Sequence, residues 1–205
     1  MAATTVAKVL KRRWELVAFL GAVLAATLLH GADPNTNTGY GKVVLVVDFE
    51  GKTTLGWSLL EGGGAQGALR IEVSPISNSS DSNSLQLVVT KVGERCGIKF
   101  SGEKVTQVQS NQWYDLTFRA RTEKRENDRG YGLTVSIESR DGKQICARTT
   151  LPEVGGDWRD YTVALHSRLP HADGTLIITM SEPGIIWFDE VKLTQRPTGR
   201  EMQTP

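Results

Sequence analysis

Histidine and cysteine are nearly absent from this sequence, with three His and two Cys in 205 residues. Serine or cysteine nucleophiles need a neighbouring base, most often histidine, and only His30, His166 and His171 could serve. No Gly-x-Ser-x-Gly elbow is present. Spaced His or Cys pairs of the kind that hold zinc are missing too. Glycoside hydrolysis needs two carboxyl groups facing each other across a cleft. Asp189 and Glu190 are adjacent, so on a regular strand they point to opposite faces and cannot form that pair. The chain reads as a non-enzyme.

An excess of one charge is also missing. The sequence carries 24 Lys+Arg against 23 Asp+Glu, a net of +1. Residues 1–32 hold Lys8, Lys11, Arg12 and Arg13 against Glu15 alone, which leaves 20 bases and 22 acids over 33–205. A body this close to neutral argues against a nucleic-acid partner or a polybasic membrane-surface protein.

Long apolar runs are absent but for Leu16–Leu29, shorter than the about 20 residues of a membrane-spanning helix. Behind four basic residues, this run matches a secretory signal. Small residues follow at Gly31 and Ala32, although His30 stands where a small residue is preferred. Residues 1–32 are therefore expected to be a signal peptide, with an uncleaved membrane anchor as the alternative. Export would place the protein outside the cell, in the periplasm or on the cell surface, free of the membrane once the leader is gone. Residues 33–42 read as a polar linker and 195–205 as a flexible tail. In an oxidising compartment Cys96 and Cys146 could form a disulfide, worth about 4 kcal/mol for a loop of this length. Two separate buried thiols are the alternative.

What the sequence does hold is period-two alternation. In Tyr114–Arg121 the even positions are apolar and the odd ones polar, the mark of a strand with one face on a core. Leu133, Val135 and Ile137 repeat it, as do Leu85, Leu87, Val89 and Tyr161, Val163, Leu165. Val43–Phe49 is apolar on both phases and predicts a strand covered on both sides. Arg140-Asp141-Gly142-Lys143 predicts a two-residue type I′ hairpin, and reversals are expected at Gly155-Gly156-Asp157 and Ser181–Gly184. About ten short strands without a helical stripe predict an all-β, two-sheet antiparallel sandwich over 43–194. Gly62–Gly67 matches a phosphate-loop pattern literally, but it leads into a strand, so a plain loop is expected.

Asp189 stands out. In Trp187–Leu193 it shares a phase with Trp187, Val191 and Leu193, and a carboxylate on a core phase is costly unless paired, hydrogen-bonded or bound to a metal. It reads either as a strand-end acid taking backbone N–H bonds or as a calcium ligand.

Phe49-Glu50 followed by Gly56-Trp57, Ser84-Leu85-Gln86-Leu87-Val88, Trp113 through Arg121, Trp158-Arg159-Asp160-Tyr161 and Trp187 through Leu193 form an ordered series. In it the chain resembles the CenC-type carbohydrate-binding modules, galactose-binding-like jelly rolls often attached to cellulases and xylanases. The resemblance implies a jelly roll that binds a poly- or oligosaccharide without catalysis, expected here as a monomer. It also implies a structural calcium on Glu50 and Asp189, with Asp81 a third ligand. Sugars in such modules stack on exposed aromatics. Trp57, Trp158 and Trp187 fall at positions that usually pack on the core, so Trp113 is the expected platform, exposed or covered by a loop. Arg119, Arg121 and Lys99 are its candidate polar partners. A structural or protein-interaction sandwich at the cell surface, with no sugar site, is the alternative.

Overall fold

The alternating segments become strands wherever the structure describes them. The computed structural model describes residues 41–51, 53–54, 56–73, 83–100, 107–125 and 129–197. The expected leader, most of the linker and Asp81 lie outside the described residues. In chain order the strands are β1 (Lys42–Val47), β2 (Trp57–Gly62), β3 (Gln66–Val73), β4 (Asn83–Lys91), β5 (Arg95–Phe100) and β6 (Gln112–Thr122). They continue as β7 (Tyr131–Ser139), β8 (Ile145–Val154), β9 (Arg159–Ser167), β10 (Gly174–Met180) and β11 (Gly184–Gln195). No helix occurs among the described residues.

Two antiparallel sheets face each other as a jelly-roll sandwich. Sheet A has six strands in the order β3-β4-β11-β6-β9, with β1 also on β11; sheet B has the order β2-β5-β10-β7-β8. Most successive strands belong to opposite sheets, so the chain keeps crossing the core. From β6 the core receives Tyr114, Leu116, Phe118 and Ala120; from β7, Leu133, Val135 and Ile137; from β4, Leu85, Leu87 and Val89. Each large apolar side chain removed from water in this way contributes about 1.5–3 kcal/mol. Trp57 packs edge-on to Phe100 in the same core, ring centres 5.2 Å apart.

Several expectations need correction. β1 is covered on one side only, since Val43 and Val46 are exposed while Leu45 and Val47 are buried; it borders the sheet instead of crossing its middle. In the β7–β8 hairpin only Gly142 takes a positive φ, +70°, so the turn is not type I′. Instead Gly142 N–H donates to Ser139 O at 2.8 Å and Ser139 N–H to Gln144 O at 2.8 Å, closing a longer loop. The disulfide is not formed. Cys96 and Cys146 are free thiols, both buried, on β5 and β8 with β10 and β7 between them. Three strand spacings are about 14 Å, far beyond the reach of a bridge. Gln195 is the last residue of β11 rather than the start of a free tail.

One irregularity positions the chemistry. Along one edge β11 pairs first with β4, through Gly184–Phe188, and then with β1, through Val191–Gln195. At that change-over its register with β6 slips between Asp189 and Lys192, and Glu190 takes a φ of +49°. This is a β-bulge, which re-aims side chains. Before it Ile186 and Phe188 enter the core; after it Val191 and Leu193 do. Strict alternation therefore misplaces Asp189, which belongs to no continuing core phase and sits at the switch, 3% exposed.

Candidate functional site

Three groups of side chains carry chemistry on or beside sheet A. The first gathers at the bulge. Asp189 Oδ1 accepts the Glu190 N–H at 2.8 Å. Burial pushes the Asp189 carboxyl up to about 6; the charges of Glu190 and Glu50 add to this, and the N–H bond and Arg119 oppose it. Glu50 lies just after β1, next to Phe49 with its φ of +57°. Its Oε1 accepts the Asn83 N–H at 3.2 Å, and its carbonyl accepts Asn83 Nδ2 at 3.5 Å. The end of β1, the start of β4 and the bulge of β11 thus converge, bringing Glu50 and Asp189 into one neighbourhood. Positive φ at two non-glycine residues, Phe49 and Glu190, costs about 1 kcal/mol or more each and clusters at functional sites.

A buried carboxylate beside two others is a poor site for an anion and a good one for a hard cation with oxygen ligands. Among the described residues no three His, Cys, Asp or Glu side chains are placed so that together they could hold a metal ion. Of the three expected ligands, Glu50 and Asp189 lie among the described residues and Asp81 outside them.

The second group surrounds Trp113, which is 43% exposed. Trp113 stacks on His166, its cross-strand partner on β9, with ring centres 4.5 Å apart and planes 23° from parallel. Arg196 lies 5.3 Å from the ring centre and holds Asp115 through two bonds of 2.7 and 2.6 Å. The backbone fixes Arg196 as well: its N–H donates to Trp113 O at 2.9 Å, and its carbonyl accepts Gln112 Nε2 at 2.6 Å. His166 Nε2 meets Asn111 Oδ1 at 3.0 Å. Beyond Asn111 an open depression of about 570 Å³ lies between Gln107–Ser110 and Pro170–Ala172. Gln109 ties its rim to the end of β11, its Oε1 accepting Gln195 Nε2 at 3.3 Å.

The third group is a row across the outward face of sheet A. Arg70, Gln86, Trp187 and Arg121 are successive register partners on β3, β4, β11 and β6. Glu72 Oε2 accepts the Trp187 Nε1–H at 2.6 Å and also the Gln86 side-chain amide; Gln86 Oε1 in turn accepts Arg70 Nε–H. The Arg121 guanidinium lies 4.2 Å from the Trp187 ring centre and 5.6 Å from that of Trp158. Trp187 is buried yet stands outside the core cluster. Its ring, and that of Trp158, are covered by Arg121 rather than by the core, contrary to expectation.

The expected polar partners of Trp113 are therefore not brought to it. Arg119 and Arg121 lie six and eight residues along the same strand, roughly 20 and 27 Å at 3.4 Å per residue. Arg119 is engaged with Asp160 at 3.4 Å and Glu190 at 3.9 Å. Lys99 is on β5 between the core residues Ile98 and Phe100, so it faces outward from sheet B, on the opposite side of the sandwich. Reasoning from sequence missed His166 and Arg196. His166 was legible, since it follows Tyr161, Val163 and Leu165 on the opposite phase. Arg196 was not, because its partner Asp115 is 81 residues away.

No family model and no curated protein matches the sequence; the likeness is to solved structures. The arabinose-bound α-L-arabinofuranosidase MgGH51 superposes with a TM-score of 0.59 at 20% identity, over 83% of this chain and 28% of that one. The chain thus spans little more than a quarter of that enzyme. The CBM22-1 xylan-binding domain of Paenibacillus barcinonensis Xyn10C matches with a TM-score of 0.55 at 17% identity, over 78% of this chain and 98% of the domain. The Stig cyclase Fisc from Fischerella sp. TAU matches at 0.51 and 16% identity, over 80% and 92%. At these identities the likeness establishes the β-sandwich fold, one that carbohydrate-binding modules share.

Proposed function

We propose that this chain is a non-catalytic carbohydrate-binding module of an exported protein, of the CenC type or one close to it. The observation that carries the reading is the Trp113 ledge. An exposed indole offers the flat apolar surface that a pyranose C–H face packs against, and polar groups at its rim can take the sugar hydroxyls. Asp115, Arg196 and Asn111 are those rim groups. The near-complete overlap with a xylan-binding domain supports the same reading.

Calcium would suit the bulge, because it accepts carboxylate and carbonyl oxygens in flexible geometry. It would be held by the Glu50 and Asp189 carboxylates and by Asp81, with a structural role and no part in chemistry. Removal of residues 1–32 on export belongs to the same proposal, and N-terminal sequencing of exported protein that began at Met1 would refute that part. The decisive test is retention of the full chain on insoluble or gel-embedded xylan, cellulose and mannan, with Trp113→Ala beside it. Binding to one of them that Trp113→Ala abolishes is the expected result. Retention by none, with a folded protein, would favour the interaction-domain reading.

A further inference from the structure

We propose that the outward face of sheet B is a second binding surface, built for a negatively charged glycan that carries uronate or sulfate groups. The inference rests on the carbohydrate-binding reading but not on Trp113.

The face centres on Glu138, whose carboxylate is fully buried outside the hydrophobic core. Arg95 donates to both of its oxygens, at 3.0 and 2.8 Å, and the Ser136 hydroxyl adds a bond of 2.7 Å. Arg148 stands 3.7 Å away. One carboxylate therefore positions two guanidinium groups, one more than its charge neutralises. Both remain open to solvent, with side chains 34% and 48% exposed. Arg95 and Glu138 lie near opposite ends of β5 and β7, so their bond spans a diagonal of the sheet.

The register completes the surface. Ser58, Lys99, Ile177, Ser136 and Arg148 form one cross-strand row on β2, β5, β10, β7 and β8. The next holds Leu60, Gly97, Thr179, Thr134 and Thr150, and Thr175 pairs with Glu138. Gly97 contributes no side chain there, and Ile177 is buried yet outside the core cluster. Across these rows Arg95, Lys99 and Arg148 face the single carboxylate of Glu138, and Lys99 has no ion-pair partner among the described residues. An excess of two positive charges is thus fixed above a floor of hydroxyls. That floor suits a chain of sugar hydroxyls, and the cations suit its acidic groups. Lys99 and Arg148 are three strands apart, about 14 Å, so they would engage different residues of a polymer.

Affinity electrophoresis of the full chain tests this, in gels holding polygalacturonate, dextran sulfate, neutral xylan or polyglutamate. Lys99→Ala, Arg148→Ala and Trp113→Ala are run alongside, with circular dichroism confirming each fold. The expected result is retardation by an anionic glycan, weakened about tenfold by Lys99→Ala or Arg148→Ala, the size of one charge-assisted hydrogen bond. Retardation by polygalacturonate alone assigns a carboxylate ligand, and by dextran sulfate alone a sulfate. The proposal is overturned if polyglutamate retards the chain equally, if neither anionic glycan does, or if both charge substitutions leave their binding intact. Loss of xylan retention in Trp113→Ala reports on the ledge alone.

Discussion

Arg121 and Trp187 are register partners on β6 and β11, and the guanidinium lies 4.2 Å from the centre of the indole ring. Arg121 also lies 5.6 Å from the centre of the Trp158 ring, so one guanidinium contacts two tryptophans. A cation held over a partly desolvated aromatic contributes about 1–2 kcal/mol. Arg121→Ala is expected to lower unfolding free energy in urea by about 1–2 kcal/mol while leaving glycan retention unchanged. An undiminished midpoint together with lost retention would make Arg121 a ligand contact instead.

Trp113 should behave differently. The residue is 43% exposed and outside the core cluster, so truncation removes its stack on His166 but opens no cavity in the core. Trp113→Ala is expected to lower the unfolding free energy by about 1 kcal/mol, the size of one aromatic pair. Affinity for the glycan should fall at least about tenfold, the order of one lost stacking contact. Calorimetric titration measures the second, urea denaturation the first. His166→Ala should produce a smaller loss, because the indole would keep its exposed face but lose the ring that orients it.

The contrast between these two sites shows what the sequence could convey. Alternation along β4, β6, β7 and β9 predicted which residues enter the core, and all four patterns were realised. That signal is local, a matter of each residue and its neighbour two positions on. Which sheet a strand joins is decided by pairing at long range, so nothing in Arg95–Phe100 revealed that Lys99 would face away from Trp113. The bulge had no local signature either. A positive φ at Glu190 is tolerated because β1 and β4 both end against that point of β11, which only the assembled sheet imposes. Arg121 read as a sugar contact for the same reason: its phase was right, but the two rings it covers come from β11 and the segment before β9.

Cys96 and Cys146 offer a check on the packing. Both are buried, and burial raises both thiol pKa values, with Glu61 and Glu138 respectively adding to the rise. Thiolate is the reactive species. The native protein should therefore react slowly with Ellman's reagent at neutral pH, and two thiols should titrate promptly in guanidinium. Mobility on denaturing gels should be the same with and without reductant. A shift between the two lanes would mean a bridge, and with it a different pairing of β5 and β8.

The last prediction turns on Asp189. In the metal-free protein its carboxyl is pushed from 3.8 up to about 6, chiefly by burial. The folded state thus binds its proton more tightly than the unfolded chain. Stability from this group is fully present below pH 4 and is lost as pH rises through about 6. Two pKa units correspond to up to about 3 kcal/mol. Other carboxylates contribute their own pH dependence, so the informative quantity is the difference between wild type and Asp189→Asn. The variant cannot ionise, and it should gain on wild type between pH 4 and 7 in EDTA. Calcium reverses the sign of that comparison. A cation between Asp189 and Glu50 favours both charged carboxylates, and at a hundredfold excess over its dissociation constant it would stabilise the fold by about 2.7 kcal/mol. Wild type in calcium should therefore melt higher at pH 7 than in EDTA, and Asp189→Asn should lose most of that increment. Equal melting of both proteins in calcium and in EDTA across this pH range would leave Asp189 as an acceptor for the Glu190 N–H and nothing more.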